Sequence, residues 1–185
     1  MGTAASKNPG FSGEKGGVFQ RVYAEVVMMV RLQPMTETEY QAFLADAVKE
    51  YAGDHVRGGR WSQDEALEES AKEFAQLLPE GPKTPDHYLF TVVDGDHNRP
   101  VGTLWYMVRP GPNGKTAFIY NIRMNEDARG QGYGTQTLKA LEADAQARGV
   151  VSMSLHVFGH NEGAFRLYQR LGYRTTNIVM AKDLK

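Results

Sequence analysis

The spacing of apolar residues in the first part of the chain predicts one strand followed by two helices. The strand covers residues 22–32. A threonine and a glutamate with capping-box spacing open the first helix, and apolar residues then recur at helical intervals over residues 36–52. A second capping box, with serine and glutamate, opens a similar stripe over residues 62–78. A loop with a double glycine, residues 53–61, is expected between the two helices.

The period of the pattern changes after residue 85, where three runs rich in β-branched and aromatic side chains follow one another. They cover residues 87–93, 101–109 and 116–124, and clusters of glycine, proline, asparagine and aspartate separate them. Three consecutive strands of this kind predict an antiparallel meander.

Helices and strands alternate over the remainder of the chain. Helical spacing covers residues 132–148 and 161–171, and Gly172 stands where a helix-ending glycine is expected. A buried strand is predicted over residues 150–158, between these helices. A last strand is predicted over residues 173–182.

The predicted order of elements is β-α-α-β-β-β-α-β-α-β, which defines an α/β fold with a single mixed, largely antiparallel sheet flanked by helices. Residues 1–17 carry five glycines and are expected to form a flexible N-terminal arm. Residues 18–185 show no internal repeat and no linker, so one domain is expected there. A chain of 185 residues with 41% apolar residues can bury one sizeable core.

The amino-acid composition excludes several kinds of chemistry. The chain has no cysteine, which excludes disulfides, zinc–cysteine sites and a cysteine nucleophile. Any acyl transfer must therefore use another nucleophile or pass directly between substrates. The five histidines form no pair four residues apart on one helix, so no metal site is predicted. No apolar run could span a bilayer and no secretory pattern is visible, so we expect a cytoplasmic protein that binds no membrane.

Charge is distributed unevenly along the chain. The net charge of −1 gives no general indication of nucleic-acid binding. Residues 36–80, however, carry eleven acidic and four basic side chains. These acids are explained either by solvated helix faces or by a region that attracts a cationic substrate.

A glycine-rich stretch between a predicted strand and a predicted helix indicates the chemistry most directly. It is the sequence Arg129-Gly130-Gln131-Gly132-Tyr133-Gly134-Thr135. Glycines at alternate positions let the backbone turn tightly and approach a ligand. The free N–H groups and the dipole at a helix N-terminus favour negative charge, so this junction can bind a pyrophosphate.

Two common phosphate-binding patterns do not fit this loop. A Rossmann fingerprint needs G-x-G-x-x-G, and here the third glycine comes one residue early. A P-loop ends in Gly-Lys-Ser/Thr, which is absent. When the loop is considered by itself, one alternative remains, which is a glycine-rich turn that binds no ligand.

Two segments together resemble the GNAT superfamily of N-acetyltransferases. Its motif A, R/Q-x-x-G-x-G/A, is matched by Arg129, Gly132 and Gly134. Its motif B contains an asparagine, an alanine three residues later, and a Leu-Tyr pair before a Leu-Gly-aromatic ending, and residues 161–173 match it. Both segments stand in the family's order and spacing, and the predicted elements match the family's fold. The resemblance is clear from Val101 to the end of the chain.

The resemblance implies that acetyl-CoA is the co-substrate. In GNAT proteins the strand before motif A pairs with the pantetheine arm, the loop binds the pyrophosphate, and motif B lies along the coenzyme. The implied acetyl-CoA contacts in this chain are Ile122, Arg123, Met124, Arg129, Gly130, Gln131, Gly132, Tyr133, Gly134, Thr135, Asn161, Ala164, Phe165 and Tyr168.

The resemblance also implies a catalytic role for Tyr168, since family members often use this tyrosine to protonate the leaving thiolate. The family's carboxylate base on the strand before motif A is replaced in this chain by Tyr120 and Asn121. His156 is the best-placed alternative base, although a hydrogen-bonded structural histidine explains it as well. Glu126 and Asp127 are expected in the turn before the loop.

The acceptor pocket is expected beside the connection between the first two helices, where the chain carries His55, Arg57, Arg60 and Trp61. Trp61 either walls the pocket or anchors the second helix. The function that the resemblance implies is transfer of acetyl to a primary amine of a small molecule, in a ternary complex. The alternatives are acetylation of a protein N-terminus or lysine, or an acetyl-CoA-binding module without catalysis. GNAT proteins are often dimers, so a homodimer is compatible with the chain.

Overall fold

The computed structural model describes residues 30–182 and 184, and five strands and four α-helices lie within them. The strands are β1 (Val30–Pro34), β2 (His87–Asp94), β3 (Arg99–Gly111), β4 (Gly114–Met124) and β5 (Val150–Leu155). The helices are α1 (Glu37–Arg57), α2 (Ala66–Leu77), α3 (Tyr133–Ala147) and α4 (Glu162–Arg170). Short 3-10 turns cover Gly81–Lys83 and Glu126–Ala128. The predicted arm and the predicted strand before Val30 lie outside the described residues.

The five strands form one sheet in the order β1-β2-β3-β4-β5. The pairs β1–β2, β2–β3 and β3–β4 are antiparallel, and the pair β4–β5 is parallel. The α3 crossover connects this parallel pair, as a parallel connection requires. The predicted meander and the mixed, largely antiparallel sheet are confirmed. None of the helices in the described part of the chain has the length and apolar character needed to cross a membrane.

The two faces of the sheet bury different helices. On one face β3 directs Leu104 and Tyr106 into a core shared with α3 and α4, where Leu138 and Leu141 are fully buried. On the other face Trp105 lies against α1 and α2. This alternation follows from the period of two along a strand. The sheet therefore separates an α3–α4 layer from an α1–α2 layer.

Helix α1 begins as predicted and ends later than predicted. Thr36 accepts a hydrogen bond from the Glu39 N–H (3.3 Å) and donates its own N–H to the Glu39 carboxylate (2.8 Å), which forms the capping box. The helix then continues through Gly53 to Arg57, so the loop predicted from residue 53 is wrong at this point. Burial of His55 in the last turns supplies tertiary contacts that outweigh the low helix propensity of glycine.

Helix α2 begins later than its capping box predicted. The Ser62 N–H does donate to the Glu65 carboxylate (3.0 Å), but Glu65 is itself the N-cap and makes no side-chain cap. Turn conformation occupies residues 63–65. The glutamate therefore closes a turn in front of the helix.

The last predicted strand, residues 173–182, is not formed. Ile178, Val179 and Met180 are 77%, 93% and 88% exposed, and no strand of the described residues pairs with this segment. Preference for strand conformation depends on packing against a neighbouring strand, so β-branched residues without such a neighbour do not form one.

Candidate functional site

The pairing between β4 and β5 ends about halfway along β4. Their parallel pairing runs from Lys115 opposite Val150 to Ile119 opposite Leu155, and β5 ends there, three residues before its predicted end. Strand β4 continues to Met124. The backbone of β4 beyond Ile119 therefore borders an opening between the two chain segments, where amide groups can pair with a ligand.

A bulge in β4 lies where this separation begins. Trp105 of β3 is opposite Asn121 and Tyr106 is opposite Ile119, so Tyr120 is the additional residue. A bulge bends its strand and increases the local twist. The Tyr120 ring stacks on Trp105, with ring centres 4.4 Å apart. The bulge therefore turns β4 away from β5 and directs the Tyr120 ring towards the α1–α2 layer.

A cavity of about 900 Å³ occupies this opening. Its walls come from the second half of β4, the segment after β5, and helices α1, α2 and α4. Among the lining residues are Tyr51, His55, Glu73, Tyr120, Asn121, Ile122, Arg123, Met124, Arg129, His156, Phe158, Asn161 and Tyr168. Of the predicted site residues, the structure thus brings together the end of β4, Arg129, Asn161, Tyr168 and His156.

The glycine-rich loop continues from Arg129 at the edge of this cavity. Gly130 and Gly132 have φ of 73° and 87°, in the left-handed region that favours glycine. Gly132 is the N-cap of α3 and has no side-chain cap, so the first N–H groups of the helix remain available. A Cβ on Gly134 would lie 3.3 Å from Leu167, so this glycine lets α3 approach α4.

The side chains of the loop have different roles. Arg129 is exposed, and its Nε donates to the Met124 carbonyl (3.2 Å), which holds the guanidinium beside the end of β4. Gln131 donates to the Asp127 carbonyl (2.6 Å). Tyr133 turns its side chain into the core, and Thr135 is half-buried. Of Tyr133, only the backbone N–H is therefore available for the predicted contact with acetyl-CoA.

The three predicted contacts at the end of β4 also divide by side-chain direction. Ile122 and Met124 pack against the α3–α4 core. Arg123 points to the opposite layer, where it lies 3.2 Å from Asp46 and 3.0 Å from Glu50. The backbone of this segment borders the opening, whereas the Arg123 guanidinium joins β4 to α1.

Helix α4 begins at the cavity. The Asn161 side chain caps it by accepting from the Ala164 N–H (3.2 Å). Ala164 packs against the core cluster. Phe165 is 38% exposed, and neither it nor Ala164 lines the cavity. The structure therefore places Asn161 at the cavity and Ala164 and Phe165 beside it.

Tyr168 lies on the inner face of α4, where it is 9% exposed, joins the core and lines the cavity. Its ring centre is 5.6 Å from that of Tyr173. Burial raises the pKa of the Tyr168 hydroxyl above its ordinary value of 10. The phenol is therefore protonated at neutral pH and can donate a hydrogen bond into the cavity.

Two histidines line the cavity, and both contact the ring of Phe158. His156 follows β5, is exposed, and contacts Phe158 edge-on at 4.9 Å. His55 lies near the end of α1, with ring centres of Tyr51 and Trp61 each 4.3 Å away. Burial, reinforced by nearby Arg60, lowers the pKa of His55. His55 is buried and neutral at neutral pH, whereas His156 is open to the cavity.

The acceptor-side wall carries three acids, and each is paired with an arginine. The pairs are Glu73 with Arg60 at 2.7 Å, Glu50 with Arg123 at 3.0 Å, and Asp54 with Arg57. Both arginines that were predicted near the acceptor pocket are therefore engaged in ion pairs with this wall.

Trp61 contacts the last turns of α1 and lies outside the cavity lining. The Arg60 guanidinium lies 4.9 Å from the centre of the Trp61 ring. Of the two roles expected for Trp61, the structure supports the anchor, and the helix that it anchors is α1.

Several cavity residues lie outside the two motifs. Tyr51, Phe74 and Glu73 come from the helical stripes near the start of the chain, and Trp105 comes from β3. Their local patterns are those of ordinary helix and strand residues, so no signal in the sequence identified them. They meet only because α1 and α2 pack on the sheet beside the bulge.

A mixed sheet whose parallel strand pair ends beside a cavity, with a glycine-rich helix start near its edge and a buried tyrosine in its lining, is typical of an acyltransferase of the GNAT type. The sequence model of the Acetyltransferase (GNAT) family matches residues 44–173. The chain belongs to this family, whose members use acetyl-CoA as co-substrate.

Relatives from Bacillus subtilis (strain 168) support this assignment. The chain is 38% identical over 157 residues to the uncharacterized N-acetyltransferase YycN, which covers 85% of this chain and all of YycN. The uncharacterized N-acetyltransferase YdgE is 36% identical over 157 residues, covering 85% of this chain and 99% of YdgE.

Solved structures agree with the fold. The crystal structure of YycN, described as a putative acetyltransferase, has a TM-score of 0.80 at 37% identity and covers 84% of this chain and 99% of YycN. A putative acetyl transferase from Pyrococcus furiosus has a TM-score of 0.60 at 23% identity, over 84% of this chain and 98% of that one, which supports the fold alone.

Proposed function

We propose that this chain transfers the acetyl group of acetyl-CoA to a primary amine of a small molecule, directly and within a ternary complex. One observation carries the proposal: the second half of β4, Arg129 at the start of the glycine loop, and Tyr168 all border the same cavity. A thioester held in the opening between β4 and β5 would have its reacting end inside the cavity and its phosphates at the loop.

The residues at the loop fit acetyl-CoA. A Cβ on Gly130 would meet nothing within 4 Å, and one on Gly132 would meet only a side-chain nitrogen at 3.9 Å, so a ligand can approach this backbone closely. The N–H groups at the start of α3 favour a pyrophosphate, and Arg129 adds a positive charge. The backbone of residues 122–124 would pair with the amides of pantetheine.

Two side chains would move the protons. Acetyl-CoA supplies a thioester carbonyl that the amine nitrogen attacks, forming an N–C bond as the C–S bond breaks. His156 would take the proton from the nitrogen, and Tyr168 would donate to the leaving sulfur. A thiol has a pKa of about 8.5, below that of a phenol, so Tyr168 acts mainly through a strong hydrogen bond.

Two observations favour direct transfer. The chain has no cysteine to carry the acetyl group, and a cavity of about 900 Å³ has room for the thioester and a small amine together. Initial rates measured at several concentrations of both substrates should give intersecting reciprocal plots. Parallel plots would indicate a covalent acetyl-enzyme and would contradict the ternary complex.

A cationic acceptor is supported by the aromatic wall of the cavity. An ammonium group is attracted to the faces of rings such as Tyr51, Trp105 and Tyr120. The acids on the same wall contribute less, because each is paired with an arginine. We therefore expect diamines to be better acceptors than anionic amines of similar length.

A panel of acceptors tests the proposal. Release of free coenzyme thiol from acetyl-CoA would be followed with a diamine, a neutral amine, an amino acid and an unstructured lysine-containing peptide. The proposal expects turnover of at least one small amine and none of the peptide. Turnover of the peptide alone would indicate a protein acetyltransferase. Binding of acetyl-CoA without turnover of any acceptor would indicate a non-catalytic module.

A further inference from the structure

The connection between β2 and β3, residues 94–99, contacts Tyr133 within the glycine loop and Asp127, which lies two residues before the loop. We propose that this connection, through the Asp94–Tyr133 and Arg99–Asp127 contacts, positions the loop for the pyrophosphate of the coenzyme. The inference rests on the proposed function, because it concerns the affinity of the same site for acetyl-CoA. Tyr133 and Asp127 are positioning residues here, since their side chains would touch no substrate.

Asp94 is a fully buried carboxylate with a complete set of donors. The Tyr133 hydroxyl donates to its Oδ2 (2.7 Å), and the His97 Nδ1 lies 2.9 Å from the same atom. The N–H groups of Asp96 and His97 donate to its Oδ1, at 3.0 and 3.3 Å. The Tyr133 bond is the main reason that the pKa of Asp94 lies far below its ordinary value. The carboxylate is therefore ionised and has a fixed orientation.

Tyr133 transmits that orientation to the loop. It is the first residue of α3, directly after Gly132, and its side chain is buried beneath the loop. Its hydroxyl reaches Asp94, which is 39 positions earlier in the chain. Because a ring is rigid, fixing both its hydroxyl and its packing also fixes the backbone from which it extends. The N–H groups that begin α3 are oriented by this contact.

The other end of the loop is held by the same connection. Asp127 lies in the 3-10 turn Glu126–Ala128, directly before the loop, and the Arg99 Nη1 donates to it (3.0 Å). The Nε of Arg99 also lies 3.7 Å from Asp94. One arginine therefore connects the buried carboxylate to the start of the loop, while Tyr133 connects it to the end.

The loop needs outside support because its own sequence is permissive. Gly130 and Gly132 have no Cβ, and the space around Gly130 is open. Glycine has more conformational freedom than other residues, so a free loop would lose more entropy when it closed on a pyrophosphate. Holding the loop in its binding conformation before the ligand arrives reduces that loss and strengthens binding.

The fold supplies a matched control at the opposite end of α3. There the Tyr106 hydroxyl donates to the Asp144 carboxylate, and Arg148 donates to the same hydroxyl (3.0 Å). This is also a buried phenol bound to a carboxylate, but it lies far along the helix from the glycine loop. A Tyr106→Phe variant therefore loses the same kind of bond without affecting the loop.

Calorimetric titration with acetyl-CoA separates positioning from stability. Tyr133→Phe is expected to raise Kd about five- to tenfold, as loss of a hydrogen bond to a charged group can. Tyr106→Phe should stay within about twofold of the wild type, although both variants should unfold at lower temperature. In turnover, Tyr133→Phe should raise KM for acetyl-CoA with little change in kcat.

Asp127→Ala tests the Arg99–Asp127 contact, and here loss of positioning and loss of charge should change the affinity for acetyl-CoA in opposite directions. Asp127 is exposed, so the variant is expected to fold. Removing its negative charge should strengthen binding of a pyrophosphate, whereas loss of positioning should weaken it about two- to fivefold. Unchanged or tighter binding by Asp127→Ala, or equal weakening by Tyr133→Phe and Tyr106→Phe, would overturn the inference. Failure of the wild type to bind acetyl-CoA would instead contradict the proposed function.

Discussion

Tyr168 belongs to the hydrophobic core and also lines the cavity. The ring packs beside Tyr173 in the core of the α3–α4 layer. The hydroxyl belongs to a residue that lines the cavity, and burial raises its pKa. A substitution that keeps the ring and removes the hydroxyl therefore isolates the chemical role.

Tyr168→Phe is expected to lower kcat about ten- to hundredfold, because the leaving sulfur loses its hydrogen-bond donor. The Kd for acetyl-CoA and the free energy of unfolding should change little, since the ring keeps its contacts. Steady-state kinetics with saturating amine, together with calorimetry, measures both quantities. An unchanged kcat would show that Tyr168 serves packing alone.

Residue types in the two motifs were predictable, but the directions of their side chains were not. Arg123 and Tyr133 were both expected at the coenzyme, and the structure offers only their backbone there. Arg123 instead binds α1 and Tyr133 binds Asp94. Both contacts join residues far apart in the chain, and a local pattern carries no information about such partners.

Strands β2 and β3 are joined on the α1–α2 side by a bond whose strength depends on pH. The Trp105 Nε1 donates to the His87 Nδ1 (2.9 Å), which requires His87 to accept at that nitrogen. Burial lowers the pKa of His87 below its ordinary value of 6.5, and His55 is shifted in the same direction. Folding therefore favours the neutral form of both histidines.

The sign of the resulting pH dependence follows from those directions. As pH falls below about 6.5, the unfolded chain takes up protons before the folded chain does, so the free energy of unfolding decreases. Urea unfolding at pH 7.5 and pH 5.5 should show this decrease. In His87→Gln the decrease should be smaller, with His55 providing the remainder. An equal decrease in the free energy of unfolding for the variant and the wild type would contradict this role of His87.

At the level of elements, periodic patterns predicted most of the helices and strands, and the errors have physical causes. The spacing over residues 116–124 and 132–148 corresponds closely to β4 and α3. Helix α1 continues past Gly53 because His55 is buried, and the segment after α4 is exposed and forms no strand because no described strand pairs with it. In both places the presence or absence of tertiary contacts decided the conformation against the local preference.

The whole molecule determines the cavity, which no single segment contains. Motif residues line one part of the cavity, whereas Tyr51, Glu73 and Trp105 reach it from elements that carry no motif. The bulge at Tyr120 and the early end of β5 create the space between them. The motif residues that line the cavity could therefore be predicted from sequence, whereas the lining residues from α1, α2 and β3 required the packed structure.

Binding of the acetyl-CoA pyrophosphate at the start of α3 underlies the proposed function, and a negative charge placed there should disrupt it. Thr135 is the third residue of α3 and is half-buried. A glutamate in the first turn is favourable for a helix, so Thr135→Glu should fold at least as well as the wild type. The same charge would repel a bound pyrophosphate. Ala143→Glu adds an equal charge to the exposed surface of α3, away from the loop.

Calorimetric titration of the three proteins with acetyl-CoA is the measurement. We predict saturable binding by the wild type and Ala143→Glu, and at least about tenfold weaker binding by Thr135→Glu, a difference of about 1.4 kcal/mol. Equal affinities in all three proteins would place the phosphates elsewhere. Absence of binding by the wild type up to about 1 mM acetyl-CoA, which corresponds to a binding free energy of about −4 kcal/mol, would contradict the proposed function.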